Sequence, residues 1–202
     1  MAEELLDEFT NPTHMRGADA YMNLIEGNVE FLANHDKDGE VSPALVEKLF
    51  HEGQAPFAAV VSCSDSRVVP EHVFMCRLGD LFTIRSVGGY VGDSEIASVV
   101  YACDQLNVKL VVVMGHTHCG LINAAIEGSD MDSAALTPIV KATAYALEGE
   151  TDQYEAAVKA VRANIARLTA NEEVATLIAE SGVKIRGAVY MTENGQVKFL
   201  ED

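Results

Sequence analysis

A chain of 202 residues with 31 acidic side chains against 14 Lys and Arg carries a formal charge of −17. Apolar residues make up 49% of it and Trp is absent, which suits one folded domain with a buried core and excludes a disordered chain. The acidity excludes nucleic acid and anionic membrane as partners, because both need a basic footprint.

Residues 1–52 read as a helical arm. Glu3–Phe9 forms an acidic helix that stops at Asn11-Pro12, and its start lacks the basic region of a secretory signal. With four Cys at irregular spacing, this predicts a cytoplasmic protein with reduced thiols. A second helix runs from Ala18 to about His35, with Tyr21, Leu24, Ile25 and Phe31 at helical spacing. Asp36–Gly39 is a turn, and Ser42-Pro43 opens a third helix with Pro at its first position.

From residue 53 on, the pattern is that of an α/β core. Phe57–Ser62 reads as a strand, Pro70–Phe74 as a short helix and Leu81–Arg85 as a second strand. Asp93–Gln105 is a helix, Lys109–Met114 a third strand and Cys119–Glu127 the start of another helix. Strands joined by helical crossovers predict a mainly parallel central sheet with helices on both faces. The apolar runs Phe57–Val61 and Leu110–Met114 are too short to cross a membrane. A long helical region spans about Ser133 to Glu180. Val183–Met191 and Val197–Leu200 then flank Glu193-Asn194-Gly195, a hairpin signal that adds an antiparallel C-terminal edge strand. The whole is one domain, residues 1–202.

Two segments carry chemistry. Cys63-Ser64-Asp65-Ser66-Arg67 follows the first strand, and Gly115-His116-Thr117-His118-Cys119-Gly120 follows the third. Cys63, His116 and Cys119 make a Cys₂His set, and three protein ligands with a position left for water characterise a catalytic zinc site. Both segments lie where open α/β sheets place their sites, at strand ends. His116 and Cys119, three apart at a strand-to-helix junction, can converge, and the helix start favours a thiolate on Cys119. Gly115 and Gly120 let the backbone turn there. His118 is a rival ligand, but beside Cys119 it points away from a shared site and reads as a rim residue. If the chain stays extended past Cys63, then Cys63, Asp65 and Arg67 project together, and Asp65 and Arg67 can pair bidentately. The plain alternative is an ordinary surface ion pair. Cys76 and Cys103 read as buried small apolar residues.

Taken together, Cys-Ser-Asp-Ser-Arg-Val-Val-Pro-Glu, Gly-Asp-Leu-Phe-Thr-Ile-Arg and Gly-His-Thr-His-Cys-Gly resemble the β-class carbonic anhydrases. The resemblance covers Gln54 to about Glu127, the Leu24–Phe31 stretch and the C-terminal strands, and is to the plant-type branch. It implies one Zn²⁺ per chain on Cys63, His116 and Cys119, and a catalytic dyad of Asp65 and Arg67. It further implies reversible hydration of CO₂ to bicarbonate by zinc-bound hydroxide. Gln54 and Gly120 would contact substrate, and Phe82, Val87 and Tyr101 would form the apolar wall. Taken alone, Phe82 and Val87 read equally as core packing. The family pocket lies at a dimer interface, so a homodimer or dimer of dimers is implied.

Two departures bear on this. The family usually reads Arg-Asn-Ala-Gly-Asn where this chain has Arg85-Ser86-Val87-Gly88-Gly89, losing two amide side chains beside the pocket. A related hydrolase of carbonyl sulfide or carbon disulfide thus stays open as an alternative. The bicarbonate-regulated branch carries Trp three residues before the first Cys, and here that residue is Val60. An open zinc without an inhibitory bicarbonate site is therefore expected. A silent zinc-binding regulatory protein would show loss of Asp65 or Arg67, and both are present.

Overall fold

The apolar run that opens the α/β region forms strand β1 (Ala58–Cys63), whose six residues are all buried. Such a run, without polar alternation, is what a strand covered on both faces requires. In the computed structural model, which describes residues 17–33, 41–129 and 131–201, β1 is an inner strand of a five-stranded sheet. It pairs in parallel with β2 (Leu81–Ser86) on one side and β3 (Leu110–His116) on the other. β3 pairs in parallel with β4 (Lys184–Tyr190), and β5 (Val197–Phe199) closes the edge antiparallel to β4. The mainly parallel sheet with an antiparallel C-terminal edge is as expected. The helix at Glu3–Phe9, its stop at Asn11-Pro12 and the turn at Asp36–Gly39 lie outside the described residues.

Among the described residues, eight α-helices accompany the strands: α1 (Gly17–Leu32), α2 (Pro43–Glu52), α3 (Pro70–Val73), α4 (Asp93–Asp104), α5 (Gly120–Glu127), α6 (Thr137–Leu147), α7 (Gln153–Thr169) and α8 (Glu172–Ser181). Alternate strand residues face opposite layers. Ala59, Val61, Val111 and Val113 join the core under α4 to α8, while Ala58, Val60, Val112 and Met114 face α1 and α3. Of the two described arm helices, α1 belongs to this second layer, with Ala20 and Leu24 fully buried. Helix α2 is capped by Ser42, whose hydroxyl accepts the Leu45 N–H at 3.2 Å, yet buries none of its residues.

The second layer is fastened by a residue that periodicity does not mark. The buried Asn28 amide donates to the Val73 carbonyl at 3.1 Å and the Gly195 carbonyl at 3.0 Å, and accepts the Val197 N–H at 2.8 Å. One side chain thus ties α1, α3 and the C-terminal hairpin. Beside it, a Cβ on Gly27 would lie 1.9 Å from the Phe74 carbonyl oxygen. Gly27→Ala is therefore expected to lower the thermal midpoint, at a cost of roughly 1–3 kcal/mol or more for forcing the helix outward. An unchanged melting curve would show that α1 seats differently.

The long helical region expected from about Ser133 to Glu180 is built of three helices, α6 to α8. Glu148 and Gly149 take left-handed φ values of 52° and 82° after α6. Asp152 caps α7, its carboxylate accepting the Tyr154 and Glu155 N–H groups at 3.0 Å each. Asn171 caps α8 in the same way. The stop and start residues were in the sequence. The Asn-Gly turn also forms, as a wider loop in which the Met191 carbonyl accepts from Asn194 and Gly195.

Candidate metal centre

The order β2-β1-β3 sends the chain from β1 to one side and later returns it on the other. The carboxyl ends of β1 and β3 therefore border a topological switch point, where the connections diverge and leave a crevice. Cys63 ends β1, His116 ends β3, and Cys119 is the N-cap residue of α5. Their ligand atoms lie within 4.8 Å of one another. They are 7%, 1% and 2% exposed, and all four Cys of the chain are free thiols.

The imidazole is poised. His116 Nδ1 lies 2.9 Å from the Thr117 carbonyl oxygen, which only accepts, so Nδ1 carries the proton. Nε2 is buried with no hydrogen-bond partner among the described residues. A buried polar atom left so is costly. A metal ion held by this nitrogen and the two sulfurs would satisfy it, and the donor set fits zinc. His118 is exposed and stands outside the group.

The two thiols act on each other. The hydrogen bond from the Cys119 thiol draws Cys63 below the ordinary thiol range. The same bond, with burial, pushes Cys119 up despite the Ile122 and Leu121 amides. The two thiols thus titrate as a coupled pair. Burial pushes Cys103 up to about 11 and Cys76 higher still, so both are inert packing, as expected.

The chain does not stay extended past Cys63. The Val68 N–H donates to the Asp65 carbonyl at 3.0 Å, a turn that folds Arg67 back on Asp65. Asp65 Oδ1 accepts the Arg67 N–H and Nε–H at 2.9 and 3.0 Å, and Oδ2 accepts Nη2–H at 2.7 Å. These bonds hold the carboxyl well below the usual carboxylate range. Arg67 Nη2 also donates to the His118 carbonyl at 3.2 Å, joining the two loops. The Asp65 N–H points at Cys63 Sγ, 3.3 Å away. Arg85, the last residue of the Gly-Asp-Leu-Phe-Thr-Ile-Arg motif, donates to the Cys63 and Asp65 carbonyls at 3.1 and 2.7 Å, so one guanidinium fixes the whole loop.

The expected wall residues divide. Val87 opens a one-turn helix, Val87–Gly89, directly after Ser86, the residue in register with Cys63. Gly88 has φ 67°, and a Cβ there would meet Leu121 Cδ2 at 2.2 Å. From α7, the buried Asn164 holds this loop, donating to the Gly89 carbonyl at 3.0 Å and accepting the Val91 N–H at 3.1 Å. Gly120, next to Cys119, is exposed. Val87 and Gly120 are thus at the cluster. Gln54, Phe82 and Tyr101 are at the other end of the sheet. Gln54 precedes the start of β1, Phe82 is in register with Ala59, and the Tyr101 ring lies 6.1 Å from that of Phe82. The four residues from Ala59 to Cys63 put Phe82, with Tyr101 beside it, about 13 Å along the strand from its own chain's Cys63, and Gln54 precedes even the start of β1.

A family model described as carbonic anhydrase matches residues 58–197. A carbonic anhydrase of Mycolicibacterium smegmatis is 31% identical over 194 residues, covering 89% of this chain and 91% of that protein. Carbonic anhydrase 2 of Mycobacterium tuberculosis is 39% identical over 107 residues, covering 53% of this chain and 51% of that protein, so this match spans about half the relative's length. Among solved structures, a tetrameric β-carbonic anhydrase of Sordaria macrospora superposes with a TM-score of 0.65 at 29% identity, over 80% of this chain and 88% of that one.

Proposed function

Because the chain belongs to the β-class carbonic anhydrases, we propose that it is a lyase catalysing the reversible hydration of CO₂ to bicarbonate and a proton. The observation that carries this is the pairing of a buried Cys63–His116–Cys119 cluster with an Asp65 whose two carboxylate oxygens both take Arg67 hydrogen bonds. One zinc ion per chain, held by Cys63, His116 and Cys119, would lower the pKa of a coordinated water towards about 7 and so supply a nucleophile at neutral pH.

Asp65 and Arg67 are the catalytic dyad of this reading. Held ionised, Asp65 only accepts, so it would take a hydrogen bond from the attacking oxygen and leave that oxygen's lone pair aimed at carbon. Arg67 fixes that carboxylate. With Asp65 engaged by Arg67, it is directed away from capping the metal, and the site reads as open. CO₂ is uncharged and weakly polar, which suits a wall made by Val87 and bare glycine backbone. The remaining wall, Phe82 and Tyr101, and the polar handle Gln54 come from a second copy of the chain, so the active unit is a dimer or a dimer of dimers. The distance of these residues from their own cluster supports this, as does the tetrameric Sordaria macrospora relative. The four reduced thiols suit the cytoplasm. No helix among the described residues is long and apolar enough to cross a membrane.

One observation favours a second reading. The loop Ser86–Gly89 presents no amide side chain, and the Ser86 hydroxyl is turned to the Tyr90 carbonyl at 2.7 Å. A less polar rim would also admit carbonyl sulfide or carbon disulfide. Stopped-flow CO₂ hydration on zinc-loaded protein, between about pH 6 and about pH 9, with carbonyl sulfide in parallel, tests both. The rate is expected to rise with pH through one ionisation. Asp65 is charged throughout that window because its carboxyl titrates below the ordinary range. Asp65→Asn should therefore lower the rate at every pH without moving the midpoint, and a moved midpoint would make Asp65 the titrating group. Full zinc with sulfide release and no CO₂ turnover would favour the second reading.

A further inference from the structure

Taking Cys63, His116 and Cys119 as the metal ligands, we propose that Thr192 and Glu193, in the β4–β5 hairpin, are positioning residues for His116. Acting through Thr117, they hold its imidazole in the tautomer that leaves Nε2 free for the metal.

The tautomer depends on one carbonyl. His116 Nδ1 finds its acceptor in Thr117 O, and if that oxygen turned away the ring proton would have no acceptor at Nδ1. Thr117 O belongs to the Thr117–His118 peptide plane, and His118 sits at φ 55°, a left-handed conformation that is strained for a residue with a Cβ. A peptide in that position relaxes by flipping unless its groups are held.

Each group is held. The N–H of the plane, on His118, donates to Gln153 Oε1 at 3.1 Å, and Gln153 Nε2 is anchored on Asn123 Oδ1 at 3.0 Å. The hairpin holds the other side. Thr117 Oγ1 accepts the Thr192 N–H at 3.0 Å and donates to Glu193 Oε2 at 2.7 Å. Because the Glu193 carboxylate only accepts, the Thr117 proton is committed to it, and that bond keeps Glu193 below its usual range. The Thr192 hydroxyl, 3.0 Å from Thr117 Oγ1 and 3.2 Å from Thr117 O, is then the donor towards Thr117. A carbonyl oxygen has two lone pairs, and here His116 Nδ1–H and the Thr192 hydroxyl occupy them. Thr117 is 2% exposed, so no bulk water substitutes for either donor. Partners that orient a metal-binding imidazole commonly change metal affinity about 10- to 100-fold when removed.

The test is zinc affinity, by competition with a chromophoric chelator, in the wild type, Thr192→Val, Thr192→Ser and Glu193→Ala. Thr192→Val should bind zinc about 10-fold or more weakly, Thr192→Ser should restore binding, and Glu193→Ala should weaken it several-fold. Histidine-selective ¹⁵N spectra of the metal-free protein should show one Nδ1–H tautomer for His116 in the wild type and a mixture in Thr192→Val. Circular dichroism separates loss of fold from loss of metal, and the exposed Glu193→Ala carries the test if Thr192→Val does not fold. Wild-type affinity in both Thr192→Val and Glu193→Ala, or an equal loss in the Val and Ser variants, would overturn the positioning role. A wild type that binds no zinc would overturn the metal-site reading instead.

Discussion

Cys119→Ala is expected to leave the protein folded but without zinc, and without measurable CO₂ hydration. Three donors converge in this cluster, and its open position needs all three, since two ligands hold zinc far less tightly than three. Apparent zinc-binding free energies of four-ligand sites, shared evenly, give roughly 2.5–4 kcal/mol per ligand, or about two to three orders of magnitude in affinity. The packing loss is smaller: removing one buried sulfur costs about 1 kcal/mol, so the fold survives. Cys103→Ala is the matched control, because Cys103 is as buried, at 2% exposure, yet lies in α4 away from the cluster. Metal content after dialysis, read beside stopped-flow rates, decides the matter. A full equivalent of zinc in Cys119→Ala would remove that residue from the ligand set.

Asp65→Ala should show the opposite separation, keeping its zinc while losing turnover by about two to three orders of magnitude, the usual effect of deleting a preorganised polar group at the reacting atoms. Asp65 contributes no atom to the ligand cluster, so the metal has no reason to leave. What is lost is a fixed acceptor, with both oxygens oriented by Arg67. The dyad acts as one unit, so Arg67→Ala alone should lose much of the same rate. The double variant should be no slower than Asp65→Ala, which is the non-additivity expected of coupled groups. Strict additivity of the two losses would separate their roles. Full turnover with full zinc in Asp65→Ala would end the dyad assignment.

Much of this was legible in the residues. The apolar runs of β1 and β3 have a continuous pattern that only a doubly covered strand needs, and the strands lie within one and two residues of where the pattern puts them. Cys63, His116 and Cys119 were readable because ligand chemistry restricts residue type and strand ends restrict place. The Asp65–Arg67 pair was readable because it closes over two residues. The division of 133–180 into α6, α7 and α8 is also written locally, in Gly149, Asp152 and Asn171.

Other features depend on contacts between distant parts of the chain. The order β2-β1-β3-β4-β5 brings the ends of β1 and β3 together, and the β1–β2 register sets Phe82 opposite Ala59, away from Cys63. Asn28 reaches Gly195 and Val197, and Thr117 reaches Thr192 and Glu193. Periodicity, caps and ligand types are local signals, set by backbone geometry and by the chemistry of single side chains. Which carbonyl an amide meets, or which hydroxyl holds a peptide in place, is set by how strands pair, and only the folded sheet brings those atoms within 3 Å or so of each other.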